Sequence, residues 1–333
     1  MKILFIGNLD SSFERRDYEM LREAFDVKPV SFPSAHDYLD FIKSCLRLPS
    51  GIIWCDVVFA WFAGLHTAIA TVLAKVFGKK IVVVTGGWDV ENMPEIDYGA
   101  YCHPIEKIIC GFVFHHADVL LPFSSYAKQR LLSLWKPKCR CVHVDLFCDT
   151  EKYYIRGGKN RMVLTVAQVK RNNLKRKGLI NFVKTARYLK DVKFVIVGKW
   201  MDGSIRYLMR IAPANVEFKG YLPENELIEM YQKAKVYCQL SYQEGEGAGG
   251  ALGEAMACGC IPVVTYEAKA LRETIGRYGF YTHYGSIIET AENVRKALET
   301  QNDFSKKVRE QVKKFSKEKR LRKIKKIMEE LVR

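Results

Sequence analysis

Residues 241–265 read SYQEGEGAGGALGEAMACGCIPVVT, a stretch that joins two apolar runs through a turn rich in glycine. The run before the turn, Val236–Leu240, and the run that closes it, Ile261–Thr265, are each typical of a buried β-strand. Between them, the pattern predicts Glu246 in the loop past the first strand and Glu254 in the early turns of a helix. The stretch therefore predicts a strand-loop-helix-strand unit with two carboxylates at its loop end.

The turn contains three glycines, Gly247, Gly249 and Gly250, which are expected to leave backbone N–H groups exposed where the helix begins. The first N–H groups of a helix have no partner within the helix, and the helix dipole places partial positive charge there. A phosphate group is favoured at such a position. The turn therefore predicts a site for a phosphorylated ligand that carries hydroxyl groups.

Two other interpretations of the turn remain open. Gly245, Gly247 and Gly250 match the dinucleotide fingerprint G-x-G-x-x-G, and Glu267 follows the next strand, where an acid could bind a ribose, as in an NAD-dependent oxidoreductase. A short helix and the charge of Glu246 beside a pyrophosphate disfavour that interpretation. In the second, the acidic residues only cap a helix, since an acid in the first turn is stabilising.

Apolar β-type runs alternate with helical patterns along the whole chain, which predicts an α/β architecture with largely parallel sheets. The chain has 333 residues, enough for two cores of ordinary size. Residues 153–160 break both periods and are predicted to be a linker. We expect a first domain over residues 1–155, a second over 156–312, and a basic amphipathic helix over 313–333 that packs back on the first domain.

The glycine-rich stretch resembles the E-x7-E signature of the family-4 retaining glycosyltransferases, and the flanking text EAMACG and PVV matches as well. The resemblance implies the GT-B fold, in which two Rossmann-like domains face each other across a cleft. It implies that Glu246 contacts hydroxyls of the donor sugar near the reacting carbon. It also implies that Glu254 binds the ribose hydroxyls of the nucleotide.

Other segments extend the resemblance to donor binding. The strand Met162–Ala167 followed by Lys177 and Gly178 is similar to the family's basic element, in which an Arg and a Lys hold the donor diphosphate. Lys177 matches that Lys, whereas the Arg has no direct match, and Arg171 is the candidate substitute. The resemblance further implies three donor contacts near strand ends, at Gly220, Tyr221 and Gly7.

The acceptor side is predicted from residues 82–90, VVVTGGWDV, which resemble the strand end and turn that face the donor sugar. Many relatives place a His near this turn, where this chain has Gly86, so Trp88 and Asp89 are the acceptor-side candidates. Asp89 is also a candidate catalytic group, and the alternative is a turn Asp that binds its own backbone. His66 is a third acceptor-side candidate, with a buried neutral histidine as the alternative.

The activity implied is transfer of a sugar, of hexosyltransferase type, from a nucleotide-diphosphate sugar to a hydroxyl of a glycan or lipid-linked acceptor with retention. Catalysis would depend on Glu246, Lys177 and Asp89. No D-x-D motif and no zinc-type cysteine spacing occur, so neither a metal nor a cofactor is expected. The alternatives are a nucleotide-sugar epimerase on the same fold and a non-enzymatic basic protein that binds membrane or RNA.

The net charge is +16, and thirteen Lys or Arg residues against five acidic residues fall between Asp303 and Arg333. This basic segment predicts a solvated helix face, attraction to an anionic membrane surface, or contact with nucleic acid. Nucleic acid is the least favoured partner, because no helix-turn-helix, RNP or zinc-finger pattern accompanies the charge. No apolar run is long enough to span a bilayer. We expect a cytoplasmic protein, with peripheral binding to the inner membrane face as the open question.

Overall fold

The computed structural model describes residues 1–32, 38–242 and 250–332. The chain divides into two units, one made of Met1–Leu146 with Lys317–Arg333 and the other of Phe147–Ser316. The boundaries predicted from the sequence were at 155 and 312, whereas the division in the structure follows Leu146 and Ser316.

The first unit is built on a parallel sheet, and its four central strands are buried on both faces, as strands of α/β proteins are. Its strand order is β2-β1-β3-β4-β5-β6, and each neighbouring pair is parallel. The strands are β1 (Lys2–Gly7), β2 (Asp26–Ser31), β3 (Val57–Trp61), β4 (Lys80–Thr85), β5 (Val119–Pro122) and β6 (Arg140–Cys141).

The α-helices described between these strands are α1 (Ser12–Arg22), α2 (Tyr38–Trp54), α3 (Leu65–Val76), α4 (Pro104–His116) and α5 (Ser125–Leu134). Crossovers between parallel strands are right-handed. The connection from β1 to β2 runs toward one edge of the sheet, and the connections from β2 through β3 and β4 to β5 run toward the other edge. Helix α1 therefore covers one face of the sheet, and α2, α3 and α4 cover the other. The sequence pattern did not reveal α2, because Pro49 interrupts it and apolar residues lie on both of its sides.

The second unit has a parallel sheet of order β12-β11-β10-β7-β8-β9. Its strands are β7 (Asn160–Val166), β8 (Lys193–Val197), β9 (Val216–Gly220), β10 (Ala234–Gln239), β11 (Ile261–Thr265) and β12 (Phe280–Thr282). Its helices are α6 (Arg171–Arg176), α7 (Leu179–Thr185), α8 (Ser204–Ile211), α9 (Glu224–Lys233), α10 (Ala251–Ala257), α11 (Lys269–Ile275), α12 (Ile287–Glu299) and α13 (Asn302–Val312).

The strand order of the second unit reverses between β7 and β10, which are paired neighbours. Strands β7, β8 and β9 follow one another outward on one side, and β10, β11 and β12 follow on the other. Ligands of open α/β sheets bind beyond the carboxyl ends of the strands at such a reversal. The segments that follow β7 and β10 are therefore the places to look for a ligand site in this unit.

The basic C-terminal segment is not one continuous helix. Helix α13 ends at Val312 in the second unit, and α14 (Lys317–Val332) belongs to the first unit, where it packs against α1. Helix α14 buries Arg320, Ile324, Ile327 and Met328, which recur at three- to four-residue spacing. No helix among the described residues is long and apolar enough to cross a membrane.

Candidate functional site

A cluster of three cationic side chains follows β7 at the carboxyl edge of the second sheet. Its members are Lys170, which immediately precedes α6, Arg176, the last residue of that helix, and Lys177. Burial lowers the pKa of Lys170, and the neighbouring charges of Arg176 and Lys177 lower it further. Lys170 and Lys177 flank this six-residue helix, and Arg176 ends it, so the three cations lie on one short segment. Such a cluster would be stabilised by a polyanionic ligand.

Arg176 is the most buried member of this cluster, with 8% of its surface exposed. Its Nε and Nη2 atoms donate to Oδ1 of Asn173 at 3.1 and 3.0 Å. The Asn173 amide in turn donates to the carbonyl of Gln168 at 2.8 Å, so the guanidinium is held on a fixed support. In the sequence, Arg176 is one of several basic residues of a basic insertion. Only its burial, which the sequence does not show, distinguishes it from the others.

The segment that carries the cluster is fixed to the end of β10. Gly178 has a φ of +66°, and a Cβ atom there would lie 1.9 Å from the carbonyl oxygen of Leu240. Only glycine permits this approach in the left-handed region. The N–H of Tyr242 also donates to the carbonyl of Arg176 at 2.9 Å. The structure thus places Lys177 beside the residues that lead into the glycine-rich turn.

Glu254 lies in α10 and is 6% exposed. One of its carboxylate oxygens, Oε2, accepts a hydrogen bond from the hydroxyl of Tyr231 at 3.0 Å. Burial, followed by the charge of Glu254, raises the pKa of Tyr231, so that hydroxyl stays a donor. The carboxylate is therefore oriented by a buried hydroxyl. Gly250 precedes α10 with an extended backbone, at φ −103° and ψ −165°.

The predicted catalytic residue Glu246 and the predicted phosphate contacts Gly247 and Gly249 lie outside the described residues. Tyr242 is the last described residue before them and Gly250 the first after them. Their roles remain predictions from the sequence.

Two donor-binding candidates, Gly220 and Tyr221, lie at the end of β9. Gly220 has a φ of +68°, and its carbonyl accepts from the N–H of Gly198 at 2.7 Å, which ties the ends of β8 and β9 together. Tyr221 is 71% exposed, and a ring so exposed is accessible to a ligand. Both residues are thus at the carboxyl edge of the sheet, with β7 and β8 between their strand and β10.

Arg171, the predicted substitute for the family's diphosphate-binding Arg, has an exposed side chain. Its backbone N–H donates to Oδ2 of Asp202 at 2.9 Å. The buried guanidinium of this segment belongs to Arg176 instead. The structure therefore favours Arg176 over Arg171 as the anchored cation, because a guanidinium fixed by packing loses less side-chain entropy on binding an anion.

Glu267, the acid that the oxidoreductase interpretation required for ribose binding, lies just after β11. Its Oε2 atom accepts from the N–H of Tyr284 at 3.1 Å and so ties the ends of β11 and β12. Helix α10 has 7 residues, which is short for a dinucleotide-binding unit. Neither feature supports that interpretation.

In the first unit, Gly7 was predicted to approach the donor phosphate. A Cβ atom at Gly7 would lie 2.6 Å from Oε2 of Glu14, so a carboxyl group already fills this space. The same oxygen accepts from the N–H of Asn8 at 2.6 Å. Burial raises the pKa of Glu14 to about 7. The phosphate contact predicted at Gly7 is therefore not supported, because an acidic group occupies the approach.

Asp89 is 1% exposed, and its carboxylate accepts four hydrogen bonds. Oδ2 accepts from the N–H of Ala63 at 3.1 Å and from the hydroxyl of Thr85 at 2.6 Å. Oδ1 accepts from the N–H groups of Gly86 and Gly87 at 3.1 and 3.0 Å. The carboxylate therefore holds the turn after β4. This geometry corrects the interpretation of Asp89 as a catalytic or acceptor-side group, since both of its oxygens are committed to the fold.

Trp88, the neighbouring candidate, is half-buried and packs face to face with His103 at a centroid distance of 5.1 Å. Its indole N–H donates to Glu106. His66 lies in the first turn of α3, and its Nε2 atom is 3.0 Å from the carbonyl of Trp61, to which it donates. Burial lowers the pKa of His66. The geometry of His66 is that of a neutral histidine that ties α3 to β3.

No group of three or more His, Cys, Asp or Glu side chains among residues 1–32, 38–242 and 250–332 has an arrangement that could hold a metal ion.

The whole chain is similar in fold to solved structures with two Rossmann-like halves, which defines its class as GT-B. The Anabaena protein Alr3699/HepE in complex with UDP matches with a TM-score of 0.80 at 13% identity, covering 99% of this chain and 100% of that one. Sucrose-phosphate synthase from Thermosynechococcus elongatus matches with a TM-score of 0.75 at 12% identity, covering 99% of both chains. Trehalose-6-phosphate synthase, studied for glycosyl transfer with retention, matches with a TM-score of 0.74 at 11% identity, covering 99% of both chains.

The model of the family described as "Glycosyl transferases group 1" matches residues 151–320, slightly more than half of the chain. The protein therefore belongs to the group 1 glycosyltransferases. The search of curated protein sequences gives no match.

Proposed function

We propose that this glycosyltransferase moves a sugar from a nucleotide-diphosphate sugar to a hydroxyl acceptor with retention at the anomeric carbon. The observation that carries the proposal is the cationic cluster of Lys170, Arg176 and Lys177 at the strand reversal between β7 and β10. A nucleoside diphosphate leaving group gains negative charge as the glycosidic bond breaks. Cations that are already in place beside the diphosphate stabilise this charge and lower the activation barrier of the transfer.

The nucleotide is held, in this proposal, by groups along the same edge of the sheet. Arg176 and Lys177 bind the diphosphate, Glu254 binds the ribose hydroxyls, and the backbone after Gly220 lies along the base. A uridine nucleotide is the first donor to test, because the similar Anabaena protein was solved with UDP and with UDP-glucose. The sugar transferred is a hexose in this proposal.

Glu246 positions the donor sugar and stabilises the positive charge that develops at the reacting carbon. No side chain forms a covalent bond to the sugar, because the departing phosphate accepts the proton of the attacking hydroxyl on the same face. The proposed reaction needs neither a metal nor another cofactor, since the cationic cluster supplies the charge that a divalent ion would otherwise bring.

The acceptor in this proposal is a hydroxyl of a glycan or of a lipid-linked saccharide, and the reaction belongs to glycan biosynthesis. The net charge of +16 favours an anionic acceptor or an anionic surface that carries it. The proposed location is the cytoplasm, with peripheral binding to the inner membrane face.

The test is to incubate the protein with a panel of nucleotide sugars and simple glycoside acceptors in the presence of a chelator. We expect release of the nucleoside diphosphate and a product whose anomeric configuration, measured by NMR, matches that of the donor. An inverted product would refute retention, and activity only without the chelator would refute metal independence. Conversion of the donor into an epimer without any acceptor would identify the protein as an epimerase instead.

A further inference from the structure

The outer side of the first unit carries an unusual concentration of exposed aliphatic side chains. Nine of the twelve exposed Leu, Ile and Val residues in the described parts of the chain lie on α2, α3 and α4, each between 48% and 76% exposed. We call this surface the α2–α4 face; it consists of Leu39, Ile42, Leu46, Ile53, Leu65, Val72, Val76, Ile105 and Ile108. The other three are scattered, as single exposed apolar residues on soluble proteins commonly are.

The residues of this face form stripes with helical spacing. On α2 the spacing from Leu39 to Ile42 and Leu46 is three and then four residues, and on α3 Val72 and Val76 lie one turn apart. The opposite side of each helix is buried against the sheet, at Leu48 and Ile52 on α2, for example. These helices are therefore apolar on both sides, whereas a surface helix ordinarily presents polar residues to water.

The three stripes form one surface, because α3 packs against both α2 and α4 on the same side of the sheet. Contiguous apolar patches of this kind mark a contact with another molecule or a membrane.

Charge on these helices indicates what covers the face. Their cationic residues are Lys43, Arg47, Lys75 and Lys107, and their acidic residues are Asp40 and Glu106. Asp40 is paired with Lys43 at 2.8 Å, Lys75 is paired with Asp118 at 3.1 Å, and Glu106 accepts from the indole of Trp88. A second copy of the chain would bring the same cationic surface against this one in a two-fold contact. An anionic bilayer matches both features, because its acyl region accepts the aliphatic side chains and its headgroups attract the positive charge that borders them.

We propose that the α2–α4 face is the membrane-docking surface of this protein, and that it binds an anionic phospholipid bilayer peripherally. The basic helix α14 packs with α1 on the opposite side of the sheet, so α14 is not the docking element. This inference deepens the peripheral membrane location proposed above, and it does not depend on glycosyl transfer, because the α2–α4 face belongs to the first unit and the cationic cluster to the second.

The test is co-sedimentation of the full chain with vesicles of phosphatidylcholine mixed with phosphatidylglycerol, and with vesicles of phosphatidylcholine alone. We expect the protein to bind the mixed vesicles more tightly. The double variant Ile42→Ser and Leu46→Ser should weaken that binding by at least about tenfold, since it removes two aliphatic side chains from the interface. Replacing Lys43 and Arg47 by Gln should weaken binding to the mixed vesicles alone.

Two matched variants serve as controls. Leu132→Ser with Ile288→Ser removes two exposed aliphatic side chains elsewhere and should bind as the parent does. Lys325→Gln with Lys326→Gln removes exposed charge from α14 and should also retain binding. Circular dichroism checks that each variant is folded.

Three results would overturn the proposal. The parent protein fails to sediment with either vesicle, or the Ile42 and Leu46 variant sediments as well as the parent, or only the α14 variant loses binding. A parent protein that is dimeric in solution, fails to bind vesicles and becomes monomeric on substitution of Ile42 and Leu46 would identify a second copy as the occupant instead.

Discussion

Arg320 and Asp17 form a fully buried, two-pronged ion pair although 303 residues separate them in sequence. The Arg320 Nε atom donates to Oδ1 of Asp17 at 2.7 Å, and Nη2 donates to Oδ2 at 2.5 Å. Nη1 donates to the carbonyls of Val144 and Asp145 at 2.9 and 2.8 Å. The guanidinium thus joins α14 to α1 and to the segment after β6, which attaches the end of the chain to the first unit.

Removal of one partner of this pair should be strongly destabilising. Arg320→Met leaves the Asp17 carboxylate buried without its cation, and we expect the free energy of unfolding to fall by about 3 kcal/mol or more. Chemical denaturation measures this. Lys326→Met on the same helix is the control, because Lys326 is 78% exposed and should change stability little.

The double variant Asp17→Leu with Arg320→Met distinguishes an unpaired charge from lost packing. It leaves no buried charge and should be more stable than Arg320→Met alone. Equal instability of the single and double variants would contradict this account.

Glu14 should make the stability of the first unit depend on pH. Burial raises its pKa from 4.5 to about 7, so between these values the folded chain keeps a proton that the unfolded chain loses. Folding stability attributable to Glu14 therefore falls as pH rises through this window and reaches a loss of up to about 3 kcal/mol above it.

Glu14→Gln removes this titration. Relative to the parent protein, the variant should gain stability at pH 8 compared with pH 5, which urea denaturation at the two pH values measures. The comparison across pH cancels any constant packing effect of the substitution. A stability difference that is the same at both pH values would show that Glu14 does not titrate in this range.

Arg176 should matter for donor binding far more than Arg171. Arg176→Met removes the anchored guanidinium and should weaken binding of UDP by at least about tenfold, in line with a lost hydrogen bond to a charged group. Arg171→Met is the matched control and should bind UDP nearly as the parent does. Isothermal titration of folded variants measures both, and equal losses would argue against the assignment of Arg176.

Gly178 should be required for placing Lys177. Gly178→Ala would bring a methyl group into the Leu240 carbonyl and would also strain a backbone with φ +66°. We expect weaker UDP binding and lower thermal stability, because the segment must move away from β10. Gly203→Ala is the control, since Gly203 has φ −67° and no atom within 4 Å of an added Cβ. Similar behaviour of the two variants would contradict a close approach at Gly178.

Glu246 should act on turnover and not on nucleotide binding. Glu246→Ala is expected to reduce turnover by at least ~10²-fold, as loss of a contact made in the transition state does. Binding of UDP, which lacks the sugar, should stay close to that of the parent. Near-normal turnover of the variant would remove Glu246 from the mechanism.

Helices and strands whose sequence pattern is one-sided or continuously apolar were predictable. Strands β4 (Lys80–Thr85) and β5 (Val119–Pro122) are examples, because short apolar runs between polar turns favour buried parallel strands. Helix α2 was not predictable from periodicity, because its exposed side is apolar too. The same feature that concealed this helix is the one that indicates a docking surface.

The sequence by itself determined the α/β class and the spacing of Glu246 and Glu254 in one glycine-rich stretch, because both depend on residue types at short spacing along the chain. Only the tertiary structure decided that Arg176 and not Arg171 is anchored, that Asp89 holds a turn, and that Arg320 attaches α14 to the first unit. These outcomes depend on burial and on partners from distant segments. A charged side chain in water and the same side chain enclosed by distant hydrogen-bond partners look identical in a sequence, and only packing distinguishes them.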